Sequence, residues 1–133
     1  DSGVVSGLEV ATVLGQDPDQ VFKTLVTVGH TGEHYVFVIP VSCELDLKKA
    51  AESVGEKSIH MIKSKELLPL TGYIHGGCSP IGMKKHFPTY IHETCMDFPF
   101  IFVSAGVRGL QIKLAPQDLI NQSKATICRL FNE

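Results

Sequence analysis

Residues 72–91, GYIHGGCSPIGMKKHFPTYI, bring bare backbone, a thiol, two imidazoles and two lysines into one short stretch. Gly76, Gly77 and Gly82, with Ser79 and Pro80 among them, exclude a helix interior, because glycine costs backbone entropy and proline removes a donor. Tyr73, Ile74, Ile81, Phe87, Tyr90 and Ile91 supply apolar anchors on both sides, which excludes a free linker. A loop held in this way can aim backbone N–H groups at an oxygen-rich ligand such as a carboxylate, phosphate or ribose. Gly76 and Gly77 would permit close approach, Ser79-Pro80-x-Gly82 would set the turn, and Lys84 and Lys85 at the exit favour an anion too. The same composition also describes a tight turn between two strands.

Other residues carry chemical potential singly. Cys78 lies three residues after His75, and thiol and imidazole are suitable types for acyl transfer, although nearness in sequence does not make a Cys–His pair. Lys23 stands in DQVFKTLV beside Phe22, Leu25 and Val26. A lysine in so apolar a segment either snorkels to the surface or has a polar task, since an unpaired buried ammonium is costly. His30 and His34 lie four apart, but across a glycine-containing turn and without a third ligand at recognisable spacing, so no metal is expected. Gly106 reads as a hairpin glycine, and Arg108 suits either an ion pair or a phosphate.

The elements that must position these groups follow from patterning. The capping box Ser6-Gly7-Leu8-Glu9 opens a short helix through Leu14 that Gly15 ends. Asp17-Pro18-Asp19-Gln20 predicts a second, brief helix. FKTLVTV and HYVFVIPV (34–41) read as strands joined by a hairpin at 29–33, the second strand apolar enough for burial on both faces. Leu45, Leu47, Ala50, Ala51 and Val54 share a helical face that stops at Gly55. SIHMI (58–62) predicts a strand and SKELLPL (64–70) a helical turn limited by Pro69. Strands are expected at 73–75 and 89–91 flanking the loop, and at 99–105 and 109–115 around Gly106-Val107-Arg108. Pro116 opens a last helix to about Gln122, and ATICRLF adds a closing strand. Mixed hairpins and crossovers predict an α+β fold with a curved mixed sheet and short peripheral helices.

At 133 residues the chain is expected to form one domain, with 44% hydrophobic and 20% charged residues as in ordinary globular proteins. The absence of a long apolar run or a signal-like start makes the cytoplasm the expected location. Cys43, Cys78, Cys95 and Cys128 form no C-x-x-C pair, which argues against a zinc ribbon or a disulfide framework. A net charge of −2 excludes whole-protein attraction for nucleic acid, so any RNA contact rests on local basic clusters or on a partner.

Four segments in order, DPDQVFKTLV (17–26), ELDLKKAA (44–51), GYIHGGCSPIGMKKHFPTYI (72–91) and FVSAGVRGLQIKL (102–114), resemble the YbaK/EbsC family of aminoacyl-tRNA editing deacylases, relatives of the editing domain in bacterial prolyl-tRNA synthetases. The resemblance implies a distorted mixed β-barrel with peripheral helices, and hydrolysis of mischarged aminoacyl-tRNA without cofactor or metal. Its GGxSPxGxKK form points to Cys-tRNA(Pro). Ala-tRNA(Pro) and a binding module without turnover are the alternatives. It further implies that Lys23 is the essential lysine, that Thr24 belongs to the same motif, and that Gly76, Gly77, Ser79, Pro80, Gly82 and Gly106 line the aminoacyl and terminal-adenosine pocket. No protein nucleophile is implied, because the thiol of a cysteinyl substrate can attack its own ester. Mischarged tRNA and prolyl-tRNA synthetase are the implied partners. Family members usually carry a further helix and strand before the segment matching 7–15, and the chain is expected to lack them.

Overall fold

The structure, a computed structural model, describes residues 14–130. Phe22–Gly29 (β1) and His34–Pro40 (β2) form an antiparallel hairpin in which Lys23 faces Ile39 and Leu25 faces Phe37. Ile59–Met61 (β3) pairs with residues 27–29 of β1. Thr89–His92 (β4) runs parallel to β2, and Thr126–Cys128 (β7) runs parallel to β4. The five strands make one mixed sheet of order β3-β1-β2-β4-β7. Ile101–Ser104 (β5) and Gln111–Leu114 (β6) form a separate antiparallel ribbon, which meets β1 through one parallel bridge between Val21 and Phe102. Among the described residues three α-helices, Leu47–Val54 (α1), Ser64–Thr71 (α2) and Pro116–Ser123 (α3), and a 3-10 turn at Glu93–Asp97 complete an α+β architecture.

Alternation along β1 and β2 builds a core on each side of the sheet. Phe22, Val26, Val36 and Val38 pack with Ile91, Ile101, Val103, Leu119, Phe87 and Cys78 on one face. Phe37 and Ile39 pack with Ala50 and Ala51 of α1, Ile59 and Leu130 on the other. Burial on both faces explains the unbroken apolar run of β2. Each large side chain so buried contributes roughly 1.5–3 kcal/mol.

Helix α1 begins as its sequence predicts. Asp46 accepts hydrogen bonds from the N–H groups of Lys48 and Lys49, both at 3.0 Å, and Gly55 closes the helix at φ 75°. Three expectations fail. Residues 17–20 form a turn rather than a helix: Asp17 accepts from Asp19 N–H through its carboxylate and from Gln20 N–H through its carbonyl. Val21 is then drawn straight into the sheet by its bridge to Phe102. Helix α2 is not limited by Pro69 but runs to Thr71, and Gly72 closes it at φ 86° with its N–H on the Leu68 carbonyl. Residues 73–75 form no strand, since Gly72 and Gly76 adopt φ values of 86° and 87° and turn the chain out of extended pairing. The predicted helix before Gly15 lies outside the described residues.

One polar latch ties the first hairpin to the end of α1. The Glu56 carboxylate accepts from the Thr31 hydroxyl, the Thr31 N–H and the Tyr35 hydroxyl, the last at 2.7 Å. Gly29 makes room for it, because a β-carbon there would overlap the carboxylate. The Thr31 and Tyr35 hydrogen bonds hold the Glu56 pKa below its ordinary 4.5, and the bond to Glu56 pushes Tyr35 up to about 12. A lowered carboxylate pKa means that the unfolded chain binds more protons on the acid side. The Glu56 contribution is therefore complete above about pH 4.5 and lost as pH falls through the folded value. The Tyr35 contribution is complete below pH 10 and lost as pH rises through about 12. Glu56→Gln should flatten both limbs of a Tm-versus-pH curve; unchanged limbs would remove the latch from the account. Its exposure keeps the effect modest and sensitive to salt.

Candidate active site

The glycine-rich loop and the β5–β6 turn are clasped together by three contacts. The Arg108 Nε–H donates to the His75 carbonyl at 2.9 Å. Gly77 lies against the backbone of Val107 and Arg108, where a β-carbon would approach to 3.2 Å. The Tyr73 ring lies under Gly106, a β-carbon on which would meet Cε1 at 3.0 Å, and the Tyr73 hydroxyl donates to the Ile81 carbonyl at 2.5 Å. Within the loop, Ser79 Oγ accepts from Ile81 N–H at 3.2 Å. Gly77, Ser79 and Pro80 are buried beneath this clasp, whereas Gly76 and Gly82 are exposed on its rim and Gly106 is half-buried.

Lys23 lies on β1, beside the ribbon that carries the β5–β6 turn. Val21 and Phe102 pair across the parallel bridge and, with Val41, form one apolar cluster. Two residues further along each strand, Lys23 and Ser104 occupy corresponding positions on that face. Ser104 pairs with Gln111 across β5–β6, and its Oγ accepts from Gly106 N–H at 3.2 Å. Gln111 accepts in turn from Gln16 Nε2 at 2.8 Å. Because β3 is in register only with residues 27–29, with one further backbone bond from Ile62 to Val26, and the bridge to β5 is made at Val21, Lys23–Leu25 lie between the two flanking strands' pairings. By strand register, a half-buried lysine on β1 therefore stands across from the end of β5, whose Ser104 hydroxyl accepts from Gly106 N–H.

Thr24 is separated from its neighbour. It points to the face of Phe22 and Val26, where its Oγ1 is buried without a hydrogen-bond partner among the described residues. Ser104 was not marked by the sequence reading. The signal available was a hydroxyl closing an apolar strand two residues before Gly106. Tyr73 and Arg108 acquire their clasping roles only through contacts with distant chain.

Cys78 is poorly placed for nucleophilic work. Burial pushes its thiol up to about 12, so at neutral pH it holds its proton, and it packs with Phe22, Val26 and Phe87. Cys78→Ala is expected to retain at least half of any hydrolytic activity while costing roughly 1 kcal/mol of stability. Loss of turnover in a folded Cys78→Ala protein would restore the thiol as a candidate. Among the described residues, no group of three or more His, Cys, Asp or Glu could hold a metal ion. An open cleft of about 760 Å³, lined in part by Pro40, Leu45 and Phe98, contains none of the predicted site residues. Its carboxylates, Asp19, Glu44, Asp46 and Asp97, disfavour a phosphate backbone.

An α+β fold in which a lysine-bearing strand adjoins the ribbon that clasps a glycine loop is the class that this geometry defines. The chain matches the model of the aminoacyl-tRNA editing domain over residues 2–121, and it belongs to that family. It is 51% identical over 117 residues to EbsC of Enterococcus faecalis, named as a candidate Cys-tRNA(Pro)/Cys-tRNA(Cys) deacylase, covering 88% of this chain and 71% of that protein. It is 34% identical over 77 residues to the proline–tRNA ligase of Pelobacter propionicus, covering 58% of this chain and 13% of the ligase. The crystal structure of a candidate trans-editing enzyme for prolyl-tRNA synthetase superposes with a TM-score of 0.87 at 27% identity, covering 100% of this chain and 83% of that one. No helix among the described residues is long and apolar enough to cross a membrane.

Proposed function

We propose that this protein hydrolyses mischarged aminoacyl-tRNA, with Cys-tRNA(Pro) as its main substrate. The observation that carries the reading is the placement of Lys23 and Ser104 on one face beside the Gly106 turn, in a chain 51% identical to EbsC. The bond to be broken is an ester between an amino acid and the terminal ribose. A protonated Lys23 would stabilise the oxyanion that develops on the ester carbonyl and hold the aminoacyl group in an attacking geometry. The cysteinyl sulfur forms a new bond to its own carbonyl carbon, and the carbon–oxygen bond to ribose breaks. The thiol proton passes to the leaving ribose oxygen, and water later opens the resulting thiolactone. Gly76, Gly77, Ser79, Pro80, Gly82 and Gly106 form the pocket on this reading, the buried members by holding its shape and the exposed ones by facing the substrate, and Thr24 supports Lys23 only from the opposite face of the strand.

The protein acts as a single domain in the cytoplasm, with its sheet and ribbon forming the distorted barrel of this family, and prolyl-tRNA synthetase presents the body of the tRNA to it. The test is hydrolysis of Cys-tRNA(Pro), Ala-tRNA(Pro) and Pro-tRNA(Pro) under single-turnover conditions. Cysteinyl ester should disappear at least tenfold faster than either of the others. Faster loss of alanine would reassign the substrate, and no loss of any ester would remove the enzymatic reading.

A further inference from the structure

The sheet separates charge along its strands. β2 and β4 run parallel, so their starts share one end of the sheet and their last residues share the other. The closing end holds the carboxylates of the cleft, Asp19, Glu44, Asp46 and Asp97, beside Pro40, the last residue of β2. The opening end, about 20 Å away along β2, is basic. Phe87, buried just before β4, gathers two basic side chains there: the His34 ring centroid lies 5.4 Å from its own, and Lys85 Nζ 5.8 Å. Val28 of β1 pairs with His34 of β2 on one side and with His60 of β3 on the other. The two imidazoles therefore stand in one row on one face, about 10 Å apart. His86, exposed, lies between Lys85 and Phe87 in the chain. Lys84 is exposed beside them, its ammonium 3.4 Å from the Pro69 carbonyl near the end of α2. No aspartate or glutamate occurs between Glu66 and Glu93. None of these basic groups is ion-paired among the described residues, where Arg129 pairs with Glu93. Glu33 stands one residue before His34, and Glu56 is engaged by Thr31 and Tyr35, which alternates to the face opposite His34.

We propose that this end of the sheet, with Lys85, His34, His60 and His86, is a docking surface for the phosphodiester backbone of the RNA near its aminoacylated end. The inference rests on the editing reading above, which makes RNA the ligand. A chain of net charge −2 gains no attraction from its overall charge, so a local cluster must take the polyanion. Lysine ammonium groups hold phosphates as point charges, and imidazole N–H groups add hydrogen bonds. The acidic end repels the same backbone, so the separation of charge orients the RNA as well as attracting it. Lys23 lies about 17 Å from Val28 along β1. The surface thus meets the RNA away from the ester and acts on binding rather than on chemistry.

The test measures binding of uncharged tRNA(Pro) between about 50 and 200 mM salt, the range over which phosphate contacts are lost. Lys85→Ala should weaken binding about threefold to fivefold at the lowest salt and reduce the slope of log K against log salt by about one. Lys85→Glu should weaken it at least tenfold, and His60→Glu, on another strand, should act in the same direction. Lys85→Arg should match wild type; a lysine with only a structural role would leave the salt slope unmoved. KM for Cys-tRNA(Pro) should rise with binding loss while kcat stays within twofold. Hydrolysis of cysteinyl-adenosine, which carries no phosphate, should be unchanged in every variant. If wild type cleaves Cys-tRNA(Pro) while the variants keep its affinity, slope and KM, the surface is overturned and the editing reading stands. If the variants lose affinity and slope but wild type cleaves no ester, the surface stands and the deacylase reading falls. If wild type neither binds nor cleaves, both fall. Weakened binding of prolyl-tRNA synthetase with every RNA readout spared would make this end a protein-docking surface and overturn the proposal.

Discussion

Lys23→Ala should reduce single-turnover hydrolysis of Cys-tRNA(Pro) by about 100- to 1,000-fold, the usual consequence of deleting one preorganised group that stabilises an oxyanion. Stability should change little, because Lys23 is only half-buried and lies on the opposite face of the strand from the fully buried Phe22 and Val26. That combination separates chemistry from packing. Its circular dichroism spectrum and Tm should match wild type within a few degrees. Lys23→Arg keeps the charge but replaces a compact ammonium with a planar fork, and should recover only part of the rate. Near-normal hydrolysis by Lys23→Ala would remove Lys23 from the charge-stabilising role and leave it to another group, such as Ser104 with the Gly106 turn. Ser104→Ala should cost less, since a neutral hydroxyl contributes a weaker hydrogen bond than an ammonium.

Gly77→Val should abolish activity and lower Tm by about 5–10 °C, a larger structural effect than any expected from a loop that merely faces solvent. The reason is a backbone-to-backbone approach. A β-carbon at Gly77 would stand 3.2 Å from the Val107 Cα and carbonyl carbon and from the Arg108 nitrogen, none of which can swing aside as a side chain does. Two further methyl groups make the overlap worse, so the loop and the turn must part. Parting them withdraws Gly106 from the Tyr73 ring and frees Arg108 from His75. Gly76→Val provides the contrast. Its β-carbon would meet the flexible Arg108 side chain at 3.3 Å, so the cost there comes mainly from its φ of 87°. Wild-type activity in Gly77→Val would show that the clasp is dispensable and that the pocket is built from other residues.

The local elements were largely legible because their signals are local. Asp46 and Gly55 bound α1 by satisfying the helix's own N–H and carbonyl groups, and Pro116 starts α3 with its fixed φ. The unbroken apolar run of β2 announced burial on both faces, which follows from sheet geometry alone. Lys23 and the glycine loop could be picked out as candidates because an ammonium in an apolar segment and a Gly-Gly before Ser-Pro both demand an explanation. Their order along the chain, with VFKT first and SAGVRGL last, was enough to suggest the family to which the chain belongs.

Position was decided by tertiary contact. Asp17-Pro18-Asp19-Gln20 has the residues of a helix start, yet the bridge from Val21 to Phe102, 81 positions away, takes the chain into a strand instead. Tyr73 has strand propensity, but its ring is spent under Gly106 and its hydroxyl on Ile81. Lys23 and Thr24 are adjacent in sequence and share a motif; the strand's twofold period sends them to opposite faces. Ser104 joins Lys23 only because β5 lies beside β1 in parallel register at one point. Sequence alone thus determined which residues carry unusual chemistry and where short-range bonds start and stop the elements. Only the folded chain decided which of them meet, because the contacts that bring them together span tens of residues and leave no periodicity to read.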